Sequence, residues 1–479
     1  MPQPKNLTRL LRALARQGLE VNFNNNIYSV RWQQAHHPSA EVLIPAELPV
    51  EGKALQQLAT LAQIQHPEGG KVTATRATPD FHPGDAGVAI GSVIQTQDLV
   101  IPAAVGSDIN CGMRLHVADL TVDDFLSQRD RIVDLLKGDY FLGTRNLAFL
   151  TADFRALFAE GLLGWLATAE TRPQGSLQQT DWSQLWSDCD RVFAQGSLAG
   201  HPRWSPEELV TGEGWIRDGD LATIGGGNHF VEVQWVEQVC DRATAYAWGV
   251  REGQLAFMVH SGSRTVGKYI GHQWRDRARA AWVEGVAYPP SNLFSLSNQS
   301  QPDLVKDYLE AEATAANYGF LNRLLLAELL RLRLRQCFGE VVAPLVYDLP
   351  HNLTLPDDEG WITRKGACPA LAGQPVIIPG SMGSPSYLML GQGNSDFLQS
   401  ASHGAGRVQS RFAIAQQAQK QGEAAVGLTG VDCITLRSER RIEEAPAAYK
   451  PIQPIIDAQV AAGMVTAVAR LQPLLTFKA

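Results

Sequence analysis

Six short blocks concentrate histidine, cysteine and glycine, and they are scattered widely along the chain. They are Asp108-Ile-Asn-Cys111-Gly-Met, Gly225-Gly-Gly-Asn228-His229-Phe, His260-Ser-Gly-Ser-Arg264, His351-Asn352, Pro379-Gly-Ser381-Met-Gly and Ser402-His403-Gly-Ala-Gly-Arg407. Imidazole, thiolate and carboxylate hold transition metals, and glycine-rich turns direct backbone N–H groups at phosphates. To build one site, the loops that carry these blocks must converge. That requirement disfavours a string of independent modules and points to one interwoven domain. The chemistry it points to is metal plus nucleotide.

The composition permits such a domain. With 479 residues, 45% hydrophobic and 19% charged, there is ample apolar surface for a large core. The six cysteines, at 111, 189, 240, 337, 368 and 433, show no C-x-x-C spacing. Neither a disulfide framework nor a zinc ribbon is expected, and a reducing cytoplasm fits best. The stretch Met1-Pro-Gln-Pro-Lys-Asn6 lacks the apolar centre of a signal peptide, and no run approaches the roughly 20 apolar residues of a membrane span. A soluble cytoplasmic protein with no membrane partner is the expectation. The 41 Lys and Arg against 49 Asp and Glu leave a net charge of -8, which is not the footprint of an electrostatically driven nucleic-acid binder. Any RNA or DNA contact is therefore expected to be local. Candidates are Arg437, Arg440 and Arg441, for which a solvated surface is an equal explanation, and Arg264, Arg407 and Arg411 beside the glycine blocks.

Periodicity supplies the scaffold. Leu7, Leu10, Leu11, Leu14 and Ala15 recur at helical spacing after Asn6, a cap, and before Gly18, a stop. Residues 28–32 alternate as a strand, 55–64 read as helix, and 71–76 read as a strand leading into the turn chemistry of Pro79-Asp80-Phe-His82-Pro-Gly84. Thr121, with Asp124 three residues on, opens a helical region that runs with interruptions to about 200. Val231–Gln234 and Leu255–Val259 read as strands, each placed directly beside a glycine and histidine block. A long helix is expected from about Pro302 to Cys337, with Leu321, Leu324, Leu325, Leu329 and Leu330 as core and no chemistry of its own. Short apolar runs at 341–345 and 376–378 read as buried strands.

Asp108 and Cys111, three apart in a tight turn, can reach one metal or two neighbouring metals bridged by the thiolate. The mixed soft and hard set suits zinc, iron, cobalt or manganese, and spacing does not choose among them. With His229, His260 and His351 they complete five ligands, enough for one or two divalent ions. The loops Pro379–Ser386 and Gly404–Arg407 can cradle phosphate through backbone N–H groups, with the arginine as a charge-assisted clamp. Neither matches a P-loop or a dinucleotide fingerprint. His403, inside such a loop, can attack a phosphate to form a phosphoramidate or simply donate a hydrogen bond.

Taken in order, the blocks resemble those of the RtcB family of GTP-dependent RNA ligases, from about residue 40 to the tail at Lys478. The resemblance includes Pro79-Asp80-Phe-His82, Phe230-Val-Glu232 and Arg364-Lys-Gly-Ala as well as the six blocks. It implies that His403 becomes guanylylated and that Asp80 orients it. It implies two Mn²⁺ ions on Asp108, Cys111, His229, His260 and His351, with the cysteine bridging. It places GTP against Asn228, Phe230, Glu232, Pro379, Gly380, Ser381, Met382, Ser386, Gly404, Ala405, Gly406, Arg407, Tyr449 and Lys478. The implied partner is RNA with a 2′,3′-cyclic phosphate or 3′-phosphate end and a 5′-hydroxyl end, with an archease-like activator as a further partner. Thr363, Cys368 and Pro451 depart from the residues common in the family, and the first forty residues match it only loosely.

The fold expected is α+β: one large domain over 1–479, with central mixed β-sheets flanked by helices and helical insertions near 120–215 and 300–340. Two other functions would use the same ligands. A binuclear metal phosphoesterase needs no covalent histidine, and a non-catalytic RNA-binding or metal-sensing protein would not turn over.

Overall fold

Two β-sheets meet at a single residue, His351, in the computed structural model, which describes residues 7–33 and 37–479. The first sheet has seven strands: β1 (Leu19–Asn24), β2 (Ile27–Trp32), β3 (Ala40–Leu43), β4 (Lys71–His82), β5 (Ile90–Gln97), β11 (Gly360–Lys365) and β10 (Asn352–Asp357), in that spatial order. All its pairings are antiparallel except β3 with β4. The second has eight strands. Along its main path lie β9 (Leu345–Pro350), β6 (Gly112–Thr121), β8 (Gln254–Ser261), β7 (Phe230–Val239), β14 (Val465–Phe477), β13 (Ser386–Gly391) and β12 (Pro375–Ile378), with the short strand Cys433–Ile434 parallel to β14. Edge strand β9 of one sheet thus passes through His351 into edge strand β10 of the other.

Alternation assigns the faces of these strands. In β7, Val231 and Val233 pack into the helix-backed core, while Phe230, Glu232 and Gln234 take the opposite face. The core behind the second sheet is helical: α3 (Val122–Phe141), α4 (Thr151–Ala169), α5 (Trp182–Cys189), α6 (Arg264–Ala280) and α7 (Pro302–Phe338). The expected capping of α3 is present, with the Thr121 side chain and Asp124 bonding each other's backbone N–H groups. α7 buries Leu321, Leu324, Leu325, Leu329 and Leu330 completely or nearly so, as its apolar spacing requires. Before the sheets, α1 (Leu7–Arg16) forms where the periodicity placed it, and α2 (Gly52–Leu61) forms three residues earlier than the expected 55–64; Asn6, the expected cap of α1, lies outside the described residues.

Two expectations change. The block Pro79–His82 is not a free turn but the irregular end of β4, where the register with β5 shifts between Ala77 and His82. Proline is tolerated there because the slip breaks the hydrogen-bond ladder. The run 341–345 enters its strand only at Leu345. Among the described residues, no helix is long and apolar enough to cross a membrane.

Candidate active site

The turn carrying Asp108 and Cys111 is held from three sides. Asn110 adopts a left-handed backbone (φ 50°), its N–H donates to the Asn352 carbonyl at 2.8 Å, and the Asn352 amide donates back to the Asp108 carbonyl at 3.0 Å. From below, Arg323 on α7 donates to the Asn110 carbonyl at 2.6 Å and to the Ser261 carbonyl at 3.0 Å. The His351 N–H donates to the Cys111 carbonyl at 2.8 Å. Antiparallel pairing of Phe230 with His260 brings the start of β7 beside the end of β8, so His229 and His260 face the same turn.

Two ligand triplets result: Asp108, Cys111 and His229, and Cys111, His260 and His351, each with its ligand atoms within 4.8 Å of one another. Cys111 belongs to both. Its Sγ lies 3.2 Å from His229 Nε2 and 3.1 Å from His260 Nε2, and His260 Nε2 lies 3.3 Å from His351 Nε2. Bonds of about 2.0–2.3 Å to a tetrahedral ion separate ligand atoms by roughly 3.3–3.8 Å, so the pocket is close to preformed for metal. Burial, then the charge of neighbouring histidines, holds His260 and His351 well below the ordinary imidazole value. Both are neutral, the form that binds a metal. Burial and Asp108 push the Cys111 thiol up, so ion binding there must displace a proton. The donor set fits one or two divalent ions.

His403 lies next to this cluster, its ring centre 4.8 Å from that of His351. Its Nδ1 is 2.6 Å from Asp80 Oδ2, and its backbone N–H donates to the same oxygen at 3.3 Å. Asp80 is fully buried, and its other oxygen accepts from Thr78 Oγ1 at 2.6 Å. Burial works to raise the Asp80 carboxyl, but His403 and Thr78 outweigh it and hold it below its ordinary value. An ionised carboxylate can only accept, so it fixes the proton on Nδ1 and leaves Nε2 with a free lone pair. Gly406, at φ 71°, lets the loop close onto this pair, since a Cβ there would collide with the Asp80 backbone.

Both features line one cavity of about 780 Å³, together with Asn228, Phe230, Glu232, Pro379 to Met382, Gly404 to Arg407, Tyr449 and Lys478. Of the remaining candidates, His229 enters through the ligand triplet and Asp80 through His403. Ser386 is tied in by accepting from Gln234 at 3.0 Å and from the Gly380 N–H at 3.3 Å. Glu232 accepts from Gln234 at 2.6 Å and from Thr476 at 2.5 Å, and burial raises its carboxyl to about 7. Lys478 donates to the His229 carbonyl at 3.0 Å, joining the tail to the ligand cluster.

Several working residues carry no signal in the sequence. Arg323 overturns the view of α7 as mere core: it bonds Asp348 at 2.7 Å while supporting the turn that carries Asp108 and Cys111. Glu444 binds Arg407 at 2.8 Å and Arg411 at 2.9 Å and accepts from the Tyr449 hydroxyl, fixing one wall of the cavity. Lys450, pushed down to about 8 by burial, donates to the Pro79 and Phe81 carbonyls and so clamps the backbone on either side of Asp80. Arg440 and Arg441 pair with Glu443 and Glu423 at 2.9 Å, which favours the solvated-surface explanation for them. A lone arginine or glutamate is locally silent; only its partner reveals it.

A carboxylate-held imidazole beside two ligand triplets that share Cys111, opening into one large cleft, can serve metal-assisted chemistry on a bound substrate. The family model "tRNA-splicing ligase RtcB" matches residues 57–479. The chain is 34% identical to the RNA-splicing ligase RtcB of Mycobacterium tuberculosis, covering 85% of this chain and 96% of that one. It is 31% identical to the tRNA-splicing ligase RtcB of Pyrobaculum aerophilum (83% and 86%) and 29% identical to that of Thermococcus kodakarensis (88% and 90%). The chain belongs to the RtcB family of RNA ligases.

Proposed function

We propose that this protein joins RNA 3′-phosphate or 2′,3′-cyclic phosphate ends to 5′-hydroxyl ends, in tRNA splicing or RNA repair, through a GMP carried on His403. The observation that carries the reading is the 2.6 Å bond from His403 Nδ1 to buried Asp80, which leaves Nε2 free beside the ligand cluster. Asp108, Cys111 and His229 would hold one Mn²⁺ ion, and Cys111, His260 and His351 a second. Bound there, the ions supply charge neutralisation for phosphates.

The chain's own groups do the rest. His403 Nε2 attacks the α-phosphorus of GTP, forming a P–N bond as the bond to pyrophosphate breaks, while Asp80 stabilises the positive charge that develops on the ring. Glu232 and Lys478 would face the guanine base, and Arg407 and the N–H groups of Gly404 to Gly406 would meet phosphate oxygens. Water opens a cyclic end to the 3′-phosphate. An oxygen of that phosphate then attacks the GMP phosphorus, and the P–N bond breaks to free His403. The RNA 5′-hydroxyl attacks the activated 3′-phosphorus, and GMP leaves. The six free cysteines accord with a reducing cytoplasm as the setting.

The test is a joining assay with one synthetic RNA ending in a 2′,3′-cyclic phosphate and one beginning with a 5′-hydroxyl. Joined product that requires both GTP and Mn²⁺ is expected. Hydrolysis of the cyclic end without joining, indifferent to GTP, would assign the site to a phosphoesterase.

A further inference from the structure

Helix α6 starts at Arg264, four residues beyond the ligand His260, and carries a row of bases outward from the site. Arg264, Lys268, His272, Arg275 and Arg279 fall within an arc of about 80° at 3.6 residues per turn. The opposite side, Val266, Gly267, Ile270, Gly271, Trp274 and Ala278, is buried, and Gly271 packs on the Gly106-Ser107 backbone that leads to Asp108. Arg264 and His229 crowd the same side of Gly225, where a Cβ would collide with the guanidinium and fall 2.8 Å from His229 Nδ1. The inner end of the row therefore lies close to the Nδ1 side of His229, behind the ligand cluster and outside the lining of the cleft.

Beyond Arg264 the row is exposed and, among the described residues, Lys268, Arg275 and Arg279 make no ion pair. Asp276 is the one acid on the helix and lies at the margin of the arc. Lys268, Arg275 and Arg279, unpaired and aligned over about 16 Å at 1.5 Å per residue, are out of character for a chain of net charge -8, while Arg264 at the inner end faces Asp220 at 3.9 Å. At the outer end a second cavity, of about 200 Å³, is lined by Arg275, Arg279 and Asn292 together with Asp276. Two exposed aromatic rings stand beside the row: Tyr269, and Tyr288 with the Arg279 guanidinium 5.5 Å from its ring centre. Cations in line with aromatic rings at their flank and outer end match a sugar-phosphate backbone with stackable bases.

We propose that this face of α6 is the track on which one strand of the RNA substrate lies as it leaves the catalytic cleft. The proposal rests on the ligase reading for the identity of the strand. About six phosphates at 3.4 Å of helix axis each would span the row.

Binding of a fluorescein-labelled 20-nucleotide RNA, followed by anisotropy between 50 and 200 mM KCl, tests it without turnover. The triple variant Lys268→Glu, Arg275→Glu, Arg279→Glu is expected to bind at least tenfold more weakly at 50 mM, with a salt slope shallower by about 2, at roughly 0.7 for each phosphate that is no longer neutralised. The control Arg9→Glu, Arg12→Glu, Arg16→Glu makes the same charge change on exposed positions of α1 and is expected to stay within twofold of the parent. If the first variant is thermally destabilised, the corresponding glutamine variant reads the same slope. An unchanged slope, or an equal loss in the α1 control, would overturn the proposal. Absence of RNA joining with α6-dependent binding intact would instead count against the ligase reading alone.

Discussion

Asp80 and His403, more than three hundred positions apart in sequence, are joined by a 2.6 Å hydrogen bond that engages the Nδ1 nitrogen of the imidazole. Asp80→Asn presents an amide that can donate to Nδ1 and so favours the wrong tautomer. Transfer of GMP from GTP to the protein is expected to slow by about 10²- to 10⁴-fold, with little change in thermal stability. Single-turnover labelling measures it, and a rate within threefold of the parent would mean that Asp80 does not set the tautomer.

Because Cys111 belongs to both ligand triplets, its loss should cost more metal than the loss of any histidine. Elemental analysis after dialysis against Mn²⁺ is expected to give two ions per chain for the parent. His229→Ala and His351→Ala are each expected to keep about one, and Cys111→Ala fewer than one. Retention of both ions by Cys111→Ala would show that the thiolate does not bridge.

Arg323 is fully buried, bonded to Asp348 and to the carbonyls behind Cys111 and His260. Arg323→Met leaves Asp348 with Arg114 at 3.3 Å as its remaining partner and strands two carbonyls. Removing one partner of a buried ion pair costs about 3–5 kcal/mol, so a large drop in the urea midpoint is expected, together with weaker metal retention. A loss below about 1 kcal/mol would contradict a supporting role.

Glu232 gives the cleft a pH signature. Its carboxyl is raised to about 7 by burial, above the unfolded value, so its contribution to stability is full below the unfolded value and lost as pH rises through 7. A guanine edge donating to the ionised form reverses the preference, so nucleotide binding should release a proton. GTP affinity is expected to rise about tenfold from pH 6 to pH 8, beyond any rise seen in Glu232→Gln. Titration calorimetry in two buffers measures the proton, and identical pH profiles for the two proteins would refute the assignment.

The clustering of Asp108, Cys111, His229, His260 and His351, with His403 beside them, was legible because histidine, cysteine and glycine stand out against a leucine-rich background and sit at strand ends. His229 and His260 flank strands whose alternation is plain. What periodicity hid was pairing across the fold. Arg323 is one of many charged residues in α7 until β9 brings Asp348 against it, and Glu444 is one acid among several until Arg407, Arg411 and Tyr449 converge on it. Pro79 looked like a turn because the register slip that accommodates it belongs to the neighbouring strand. The basic row on α6, by contrast, was present in the spacing 264, 268, 272, 275, 279, and a charge-periodicity scan would have found it.

The most direct measurement is incubation of the protein with α-labelled GTP and Mn²⁺ in the absence of RNA, followed by denaturation and peptide mapping. An acid-labile, alkali-stable label confined to the peptide containing His403, and absent from His403→Ala, is expected. A protein that retains its metals yet takes up no label, or takes it up equally in His403→Ala, would contradict covalent catalysis at this imidazole.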